Sequence, residues 1–347
     1  MPRMRAIVLD RYGPSERVMR LAELPDPVPG AGEVVVRVAA VSLNSWDVDL
    51  ATGATLVRLE SPFRPKRRVI GSDVSGTVVA VGPGASRHRV GDAVFGELSA
   101  AGWGGFADLV VAREDAVVAR PVGLDDLTAA ALPQAASMAW QALGGAEAVA
   151  PDGSSDGSLR GRRVLIVGAG GGVGTFAIQL AKRGGAHVTA VERAVWKLDA
   201  LAELGADVVA AGGPDGADSR HAFDLVLDVV GALPPARAKE LLADGGRAAY
   251  IGGSPGRIAQ VLFAGARLDR HAGAGDDDGA EVVAEPARSI SLLAAVPNRD
   301  LPAIAALAAA AELRAIIDGP HPLEQVPHQL ARLQSGAVLG KAVIELG

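Results

Sequence analysis

A glycine-dense turn constrains this chain more than any other part of its sequence. The turn follows a short apolar run and opens an amphipathic segment, and the whole stretch reads Val164-Leu-Ile-Val-Gly-Ala-Gly-Gly-Gly-Val-Gly174. Free backbone N–H groups at a helix N-terminus bind pyrophosphate, and glycine lets the anion approach the backbone closely. The spacing fits G-x-G-x-x-G with Ala169 in the first position, followed by Gly171 and Gly174. The residues expected to hold a dinucleotide here are Ala169, Gly170, Gly171, Gly172, Val173 and Gly174.

An acidic residue and two basic residues follow the next predicted strand. Glu192 ends the run His187–Val191, close to the ~20-residue distance that separates the glycines from the ribose-binding acid in dinucleotide folds. Its carboxylate would accept hydrogen bonds from the adenosine ribose and repel a 2′-phosphate. Arg193 and Lys197 would attract that phosphate, or else are solvated residues at the start of a helix. We therefore expect both NAD and NADP to bind, with NADH favoured.

The chain changes character near residue 124. The part before it has short strands, such as Arg5–Leu9 and Glu33–Val41, separated by glycine and proline turns, which predicts an antiparallel barrel or sandwich. From Arg163 onward, strands alternate with helices, which predicts βαβ units and a doubly wound parallel sheet. The acidic segment 273–281 is expected to be a surface loop, and residues 339–346 return to a β pattern. The fold class is α/β.

Composition excludes several classes of function. The 347 residues contain no cysteine, which removes disulfides, thiol nucleophiles and Cys-based zinc sites. The net charge of −6 gives no basic field for nucleic acid or an anionic membrane, so neither is expected as a partner. The apolar run Ala6–Leu9 is too short for a signal or membrane segment, and the expected location is the cytoplasm.

Several segments in the same order resemble the zinc-independent medium-chain dehydrogenase/reductases of the quinone oxidoreductase type. They are Gly71–Gly76 with Val78–Gly82, Gly104–Ala107, Ala129–Leu143, Asp228–Gly231, Gly245–Arg247 and Gly336–Ile344. The resemblance implies a GroES-like β-barrel domain over residues 1–128, an inserted Rossmann domain over 129–298, a return to the first domain over 299–347, and an active site in the cleft. Ser72 stands where the zinc branch has histidine, so the resemblance implies no metal.

The same resemblance suggests roles for individual residues. Asn44-Ser-Trp-Asp47 resembles the family's N-x-x-D element, in which Asn44 contacts substrate or nicotinamide as a neutral donor, or is a turn-forming amide, and Asp47 holds the turn. Trp46 and Met138 are assigned to the substrate, although core packing is the alternative for Met138. Tyr250 is either a proton donor or a packed strand residue. The remaining cofactor contacts implied are Val230, Gly231, Gly252 and Gly253.

The implied activity is NAD(P)H-dependent reduction of an activated C=C bond or a quinone by hydride transfer without zinc. Ala51 stands where the family often has arginine, and Met138 where it has threonine. These departures suit a tailoring reductase with a larger apolar substrate, or a dinucleotide-binding sensor that has lost turnover. The family habit of joining Rossmann sheet edges predicts a homodimer through the strand Ser289–Val296.

Overall fold

A computed structural model describes residues 2–150, 157–212, 221–272 and 288–346. The chain divides into two compact units: the first unit is Met1–Ser137 with Val296–Gly347, and the second unit is Met138–Ala295. The domain limits expected from the sequence stay predictions, and the acidic segment 273–281 lies outside the described residues. Within the described residues, no helix has both the length and the apolar character needed to cross a membrane.

The strands and helices of both units have the following bounds. The strands are β1 Arg3–Leu9, β2 Met19–Pro25, β3 Glu33–Ser42, β4 Asp73–Val81, β5 Ala93–Glu97, β6 Leu109–Arg113, β7 Val118–Ala119, β8 Arg163–Val167, β9 His187–Glu192, β10 Val208–Ala211, β11 Phe223–Asp228, β12 Leu242–Tyr250, β13 Ser289–Leu292, β14 Ile317–Pro322 and β15 Lys341–Glu345. The helices are α1 Ser15–Val18, α2 Ser45–Thr52, α3 Thr55–Glu60, α4 Asp126–Ala131, α5 Pro133–Leu143, α6 Gly145–Val149, α7 Gly172–Arg183, α8 Leu198–Glu203, α9 Pro235–Leu241, α10 Pro255–Ala272, α11 Leu301–Ala309 and α12 Val326–Gln334.

The first unit is built on a sheet ordered β14-β15-β3-β4-β5-β7, with β6 paired to β3 and a separate β1-β2 ribbon. Strand β3 is its centre because β15, β4 and β6 all pair with it in antiparallel fashion. Valines of β3, including Val34, Val36 and Val38, are buried in the core of this unit. The β pattern of residues 339–346 predicted a strand, and the structure forms β15 there, paired with β3.

The second unit contains a six-stranded parallel sheet ordered β10-β9-β8-β11-β12-β13. Within this unit the chain first forms β8 in the middle of the sheet and continues outward through β9 to β10. It then crosses back and forms the other half of the sheet from β11 to β13. The carboxyl ends of β8 and β11 are therefore the topological switch point, where open α/β sheets bind their ligands. The α/β fold class is confirmed, with a β-rich unit and a Rossmann-type parallel sheet.

The strand and helix on either side of the glycine turn bury their apolar residues. Val164–Val167 in β8 are at most 3% exposed, because a central parallel strand is covered on both faces. On α7, the residues Phe176, Ala177 and Leu180 are fully buried at helical spacing. Gly184 ends the helix and donates its N–H to the Leu180 carbonyl. This packing fixes the position of the turn between β8 and α7.

Candidate functional site

Two glycines of the turn are required by the backbone and by close packing. Gly168 has a φ of +79°, a region that favours glycine, and a Cβ there would lie 2.7 Å from Val230 Cγ1. A Cβ on Gly174 would lie 2.4 Å from the carbonyl oxygen of Ala169. Gly174 thus lets the first turn of α7 lie directly against the end of β8, which is the role that the G-x-G-x-x-G spacing assigns to its last glycine.

Gly171 has a different role, because its backbone is extended with a φ of −84°. Any residue adopts that conformation, and the nearest atom to an added Cβ is the Gly168 carbonyl oxygen at 3.7 Å. A Cβ at Gly171 would therefore make one ordinary contact and meet no clash. The N–H groups of Gly172, Val173 and Gly174 donate to no acceptor among the described residues, as expected at the first turn of a helix. An open cradle lined by free N–H groups fits a pyrophosphate.

Glu192 is bound to the turn rather than extended into solvent. Its Oε2 accepts the N–H of Gly170 at 2.9 Å, and its Oε1 accepts the N–H of Ala194 at 3.0 Å. Lys197 lies beside it and is only 4% exposed, and a Cβ on Gly170 would meet the Lys197 side chain at 2.5 Å. Burial lowers the pKa of Lys197, while the Glu192 carboxylate opposes that shift. The structure thus brings Gly170, Glu192 and Lys197 together and leaves Arg193 exposed.

Two further loops at the carboxyl edge of this sheet contact each other. Asp228 at the end of β11 is fully buried, and its carboxylate accepts the N–H of Leu233 at 2.7 Å and of Val230 at 3.2 Å. A Cβ on Gly231 would lie 2.5 Å from the Cα of Gly253. The predicted cofactor residues Val230, Gly231, Gly252 and Gly253 therefore form one surface, and Val230 is 55% exposed on it.

Arg257 is a cation at this edge that the sequence analysis did not single out. It lies in the first turn of α10, its Nε donates to the Gly231 carbonyl at 3.1 Å, and its guanidinium also donates to Gln260 at 2.8 Å. The only sequence signal was its place four residues after Gly253. Its contact with Gly231 ties α10 to the loop after β11.

Tyr250 does not have the environment of a proton donor to a ligand. Its side chain is fully buried, and its hydroxyl donates to the carbonyl oxygen of Leu233 at 3.1 Å. Burial and the nearby Asp228 raise its pKa above the ordinary range. The prediction of a catalytic role for Tyr250 therefore needs correction, because the geometry matches the alternative of a packed strand residue.

In the first unit, Asp47 holds the segment that precedes α2. Its Oδ2 accepts the N–H of Asn44 at 2.8 Å, and its Oδ1 accepts the N–H of Gly71 at 3.1 Å. The side chain is fully buried, and burial raises its pKa to about 7 against the pull of these two N–H donors. Asp47 therefore joins the start of α2 to the segment before β4.

The side chain of Asn44 is oriented by a buried lysine. Lys341 Nζ donates to Asn44 Oδ1, and Asn44 Nδ2 donates to Ser72 Oγ at 3.4 Å. Because an ammonium group is only a donor, the amide oxygen must face Lys341 and the NH₂ group must face away. In this orientation the NH₂ group of Asn44 can donate a hydrogen bond to an acceptor that lies next to it. A neutral donor to a carbonyl oxygen needs the same orientation.

Lys341 and Asp73 form an ion pair inside the first unit. Lys341 Nζ lies 3.4 Å from Asp73 Oδ2, and the two side chains are 4% and 0% exposed. Asp73 also accepts the Ser72 hydroxyl at 3.2 Å and the N–H of Gln134 at 3.1 Å. Burial lowers the pKa of Lys341, opposed by nearby carboxylates, with Asp73 first among them. Sequence analysis missed this pair; a lysine at the start of the apolar run 341–344 was its only signal.

The residues present do not fit a zinc ion. The chain has no cysteine, and Ser72 and Asp73 are engaged with Asn44 and Lys341 as described. A search of the described residues finds no group of three histidine, aspartate or glutamate side chains that could hold a metal.

Trp46 lines a cavity of about 380 Å³ within the first unit. Its indole is 50% exposed and lies 6.5 Å from that of Trp103, measured between ring centroids. The position of Trp46 is compatible with its predicted contact to substrate. Met138 is half-buried in the second unit and is not among the residues lining this cavity.

Two family models match the chain. The model described as Alcohol dehydrogenase GroES-like domain matches residues 30–122, and the model described as Zinc-binding dehydrogenase matches residues 172–271. A quinone-oxidoreductase homolog of Spinacia oleracea is 31% identical over 99% of this chain and 98% of its own. The Homo sapiens NAD(P)H oxidoreductase RTN4IP1 is 30% identical over 99% of this chain and 89% of its own. The structure of a quinone oxidoreductase from Coxiella burnetii superimposes with a TM-score of 0.81 at 25% identity and covers 100% of both chains.

This chain combines a GroES-like β unit, a Rossmann-type sheet and a glycine turn. That combination defines a medium-chain dehydrogenase/reductase. Within that class the chain belongs to the quinone oxidoreductase family, which confirms the resemblance seen in the sequence. The names of these relatives place the family among the NAD(P)H oxidoreductases. The expectation of a cytoplasmic protein is wrong by this comparison, because the Spinacia relative is chloroplastic and the human relative mitochondrial.

Proposed function

We propose that this protein is an NAD(P)H-dependent reductase that transfers hydride to a quinone or to a C=C bond conjugated with a carbonyl group, without zinc. The observation that carries the proposal is the open glycine cradle at the switch point of the parallel sheet, with the N–H groups of Gly172, Val173 and Gly174 free. The name of the Spinacia relative supports the quinone class of acceptor, and the name of the human relative supports a nicotinamide cofactor.

The chemistry divides between the cofactor and this chain's own residues. A bound NAD(P)H supplies the hydride. The N–H groups in the first turn of α7 would hold its pyrophosphate, and the surface formed by Val230, Gly231, Gly252 and Gly253 would hold its nicotinamide end. Hydride uptake by such an acceptor places negative charge on its oxygen, a proton from water completes the reduction, and Asn44 would be the neutral hydrogen-bond donor to that oxygen. Lys341 and Asp73 act as positioning residues, because they hold the amide of Asn44 in its donor orientation.

The choice between the two cofactors depends on Glu192. Both of its oxygens accept backbone N–H groups, so the carboxylate is held in place and cannot turn away from a 2′-phosphate. Each oxygen keeps a further lone pair that a ribose hydroxyl can use. Exposed Arg193 offsets part of the repulsion. We propose that both cofactors bind and that NADH binds more tightly.

The proposed assembly is a homodimer through the edge of the parallel sheet. Strand β13, Ser289–Leu292, pairs with β12 on one side and has no strand on its other side among the described residues. Its unpaired backbone groups offer a site for the same strand of a second copy. Light scattering at micromolar concentration would give twice the mass of one chain for a dimer, and the mass of a single chain would reject it.

The alternative of a sensor without turnover has little support at Ala51. This residue is fully buried in the core of the first unit, so alanine there has a packing role. Loss of the absorbance of NADH and NADPH on adding quinones and enones tests the proposal. Binding of the cofactor without its oxidation by any acceptor would favour the sensor.

A further inference from the structure

The cavity beside Trp46 concentrates the aromatic residues of an aromatic-poor chain. The protein has four tryptophans and two tyrosines, and two of the tryptophans and one tyrosine line this cavity: Trp46, Trp103 and Tyr12. The two indole planes are inclined at 36°, so together they form a corner that can contact a flat ring from two sides. Leu50 and Leu56 extend the apolar wall.

The apolar wall is left open to solvent. Trp46 is 50% exposed and Leu56 is 56% exposed, although large apolar side chains are usually covered in a folded protein. A concave apolar surface of this volume, with a few charged groups at its edge, is typical of a small-molecule site. The cavity therefore has the shape and the lining of a binding site for the apolar part of a ligand.

Two of the three charged side chains at this cavity are cations with no hydrogen-bond or ion-pair partner among the described residues. Arg67 is half-buried, with its guanidinium carbon 5.9 Å from the Trp103 ring, and Lys66 is exposed. Within the part of the chain that the structure describes, neither side chain has a hydrogen-bond or ion-pair partner, whereas the neighbouring Arg68 pairs with Asp10 at 2.9 Å. The acidic side chain among the lining residues, Glu60, is exposed and unpaired with either cation.

We propose that this cavity binds the substituent end of the acceptor and selects a flat, apolar acceptor that carries one anionic group. The indole corner takes the ring, and Arg67 takes the anion, because a guanidinium donates two parallel hydrogen bonds to a carboxylate. The anion completes the pairing that Arg67 lacks. This inference rests on the proposed reductase activity for its biological meaning, but the binding itself does not need turnover.

The test compares two acceptors that differ only in charge. Calorimetric titration of the full chain with benzylideneacetone and with its 4-carboxy derivative gives two dissociation constants. We expect the carboxylate to bind about tenfold more tightly, which corresponds to about 1.4 kcal/mol. Arg67→Gln should reduce this preference to less than about threefold, and Trp46→Leu should weaken both ligands. Arg64→Gln is the matched control, because Arg64 is exposed on the same segment and does not line the cavity.

The outcomes separate this inference from the proposed function. Equal affinity of the two ligands, or an equal preference in the Arg67→Gln variant, would overturn the anion subsite even if the protein oxidises NADH with neutral enones. Tighter binding of the carboxylate that depends on Arg67, together with no turnover of any acceptor, would support the subsite and reject the reductase. If Arg67→Gln unfolds, Lys66→Gln with titration at low and high salt replaces it. A preference for the carboxylate ligand that neither the Lys66→Gln substitution nor high salt reduces would contradict the proposal.

Discussion

Two glycines of the phosphate turn, Gly174 and Gly171, should affect different properties when each is replaced by alanine. In Gly174→Ala, the new Cβ would lie 2.4 Å from the Ala169 carbonyl oxygen and 2.5 Å from its Cα. Ordinary contacts begin near 3.4 Å, so α7 must move by about 1 Å relative to the end of β8. Overpacking of this kind costs about 1–3 kcal/mol, of which the better helix propensity of alanine returns up to about 1 kcal/mol. We expect a net loss of about 1–2 kcal/mol in the free energy of unfolding.

Gly171→Ala should leave the stability of the fold unchanged and weaken the binding of the cofactor. Its backbone is extended and its Cβ has no neighbour closer than 3.7 Å, so the free energy of unfolding should change by less than about 0.5 kcal/mol. The methyl group instead stands in the open cradle where the pyrophosphate would approach. We expect the dissociation constants of NADH and NADPH to rise at least about tenfold, or about 1.4 kcal/mol.

Urea denaturation at constant m-value and calorimetric titration of both cofactors measure the two effects separately. An unchanged cofactor affinity in Gly171→Ala would reject the turn as the pyrophosphate site. An unchanged denaturation midpoint in Gly174→Ala would reject the close approach of α7 to Ala169. Equal losses of affinity and stability in both variants would show that the turn acts as one structural element with no separate cradle.

Three further perturbations have expected outcomes. Lys341→Met leaves Asp73 buried without its partner and should lower the free energy of unfolding by about 3–5 kcal/mol, whereas the exposed Lys239→Met should not; equal denaturation midpoints would contradict this. Burial raises the pKa of Asp47 from its ordinary 3.8 to about 7, so the native state keeps a proton that the unfolded chain releases. The stability of the wild type relative to Asp47→Asn should therefore decrease as pH rises from about 4 to about 7, and a constant difference would refute the shift. Glu192→Ser should raise the ratio of the NADH dissociation constant to the NADPH dissociation constant at both low and high salt. An unchanged ratio would mean that the carboxylate does not face the ribose.

The parts of the fold and site that could be predicted are those with a local signal. The strand, turn and helix from Val164 to Arg183 follow from periodicity and glycine spacing within twenty residues, and the structure forms them as β8 and α7. The alternation of strands and helices after Arg163 was enough to predict a parallel sheet. Strands β2 and β14 were missed because their pattern is weak: β14 contains two prolines and a glycine, which are typical of turns.

The contacts that orient the site residues could not be predicted. Lys341 and Asn44 are separated by 297 positions, and Lys341 and Asp73 by 268, so no local pattern records that β15 and β4 both pair with β3. The environment of Tyr250 was likewise open, because a tyrosine at the end of a strand is equally compatible with a buried and an exposed hydroxyl. The environments of Lys341 and Tyr250 both depend on contacts between strands that are distant in the sequence. Through these contacts Lys341 orients Asn44.

Oxidation of the reduced cofactor by metal-free protein shows whether this chain is a reductase that works without zinc. Protein treated with a chelator and analysed for zinc is mixed with NADH or NADPH and a quinone or an aryl enone, and the loss of reduced cofactor is followed with time. We expect turnover without zinc, and a fall of about a hundredfold in Asn44→Ala, the size of effect seen when one donor to a developing oxyanion is removed. Cofactor that binds but is oxidised by no acceptor, or turnover that appears only when zinc is added, would contradict it.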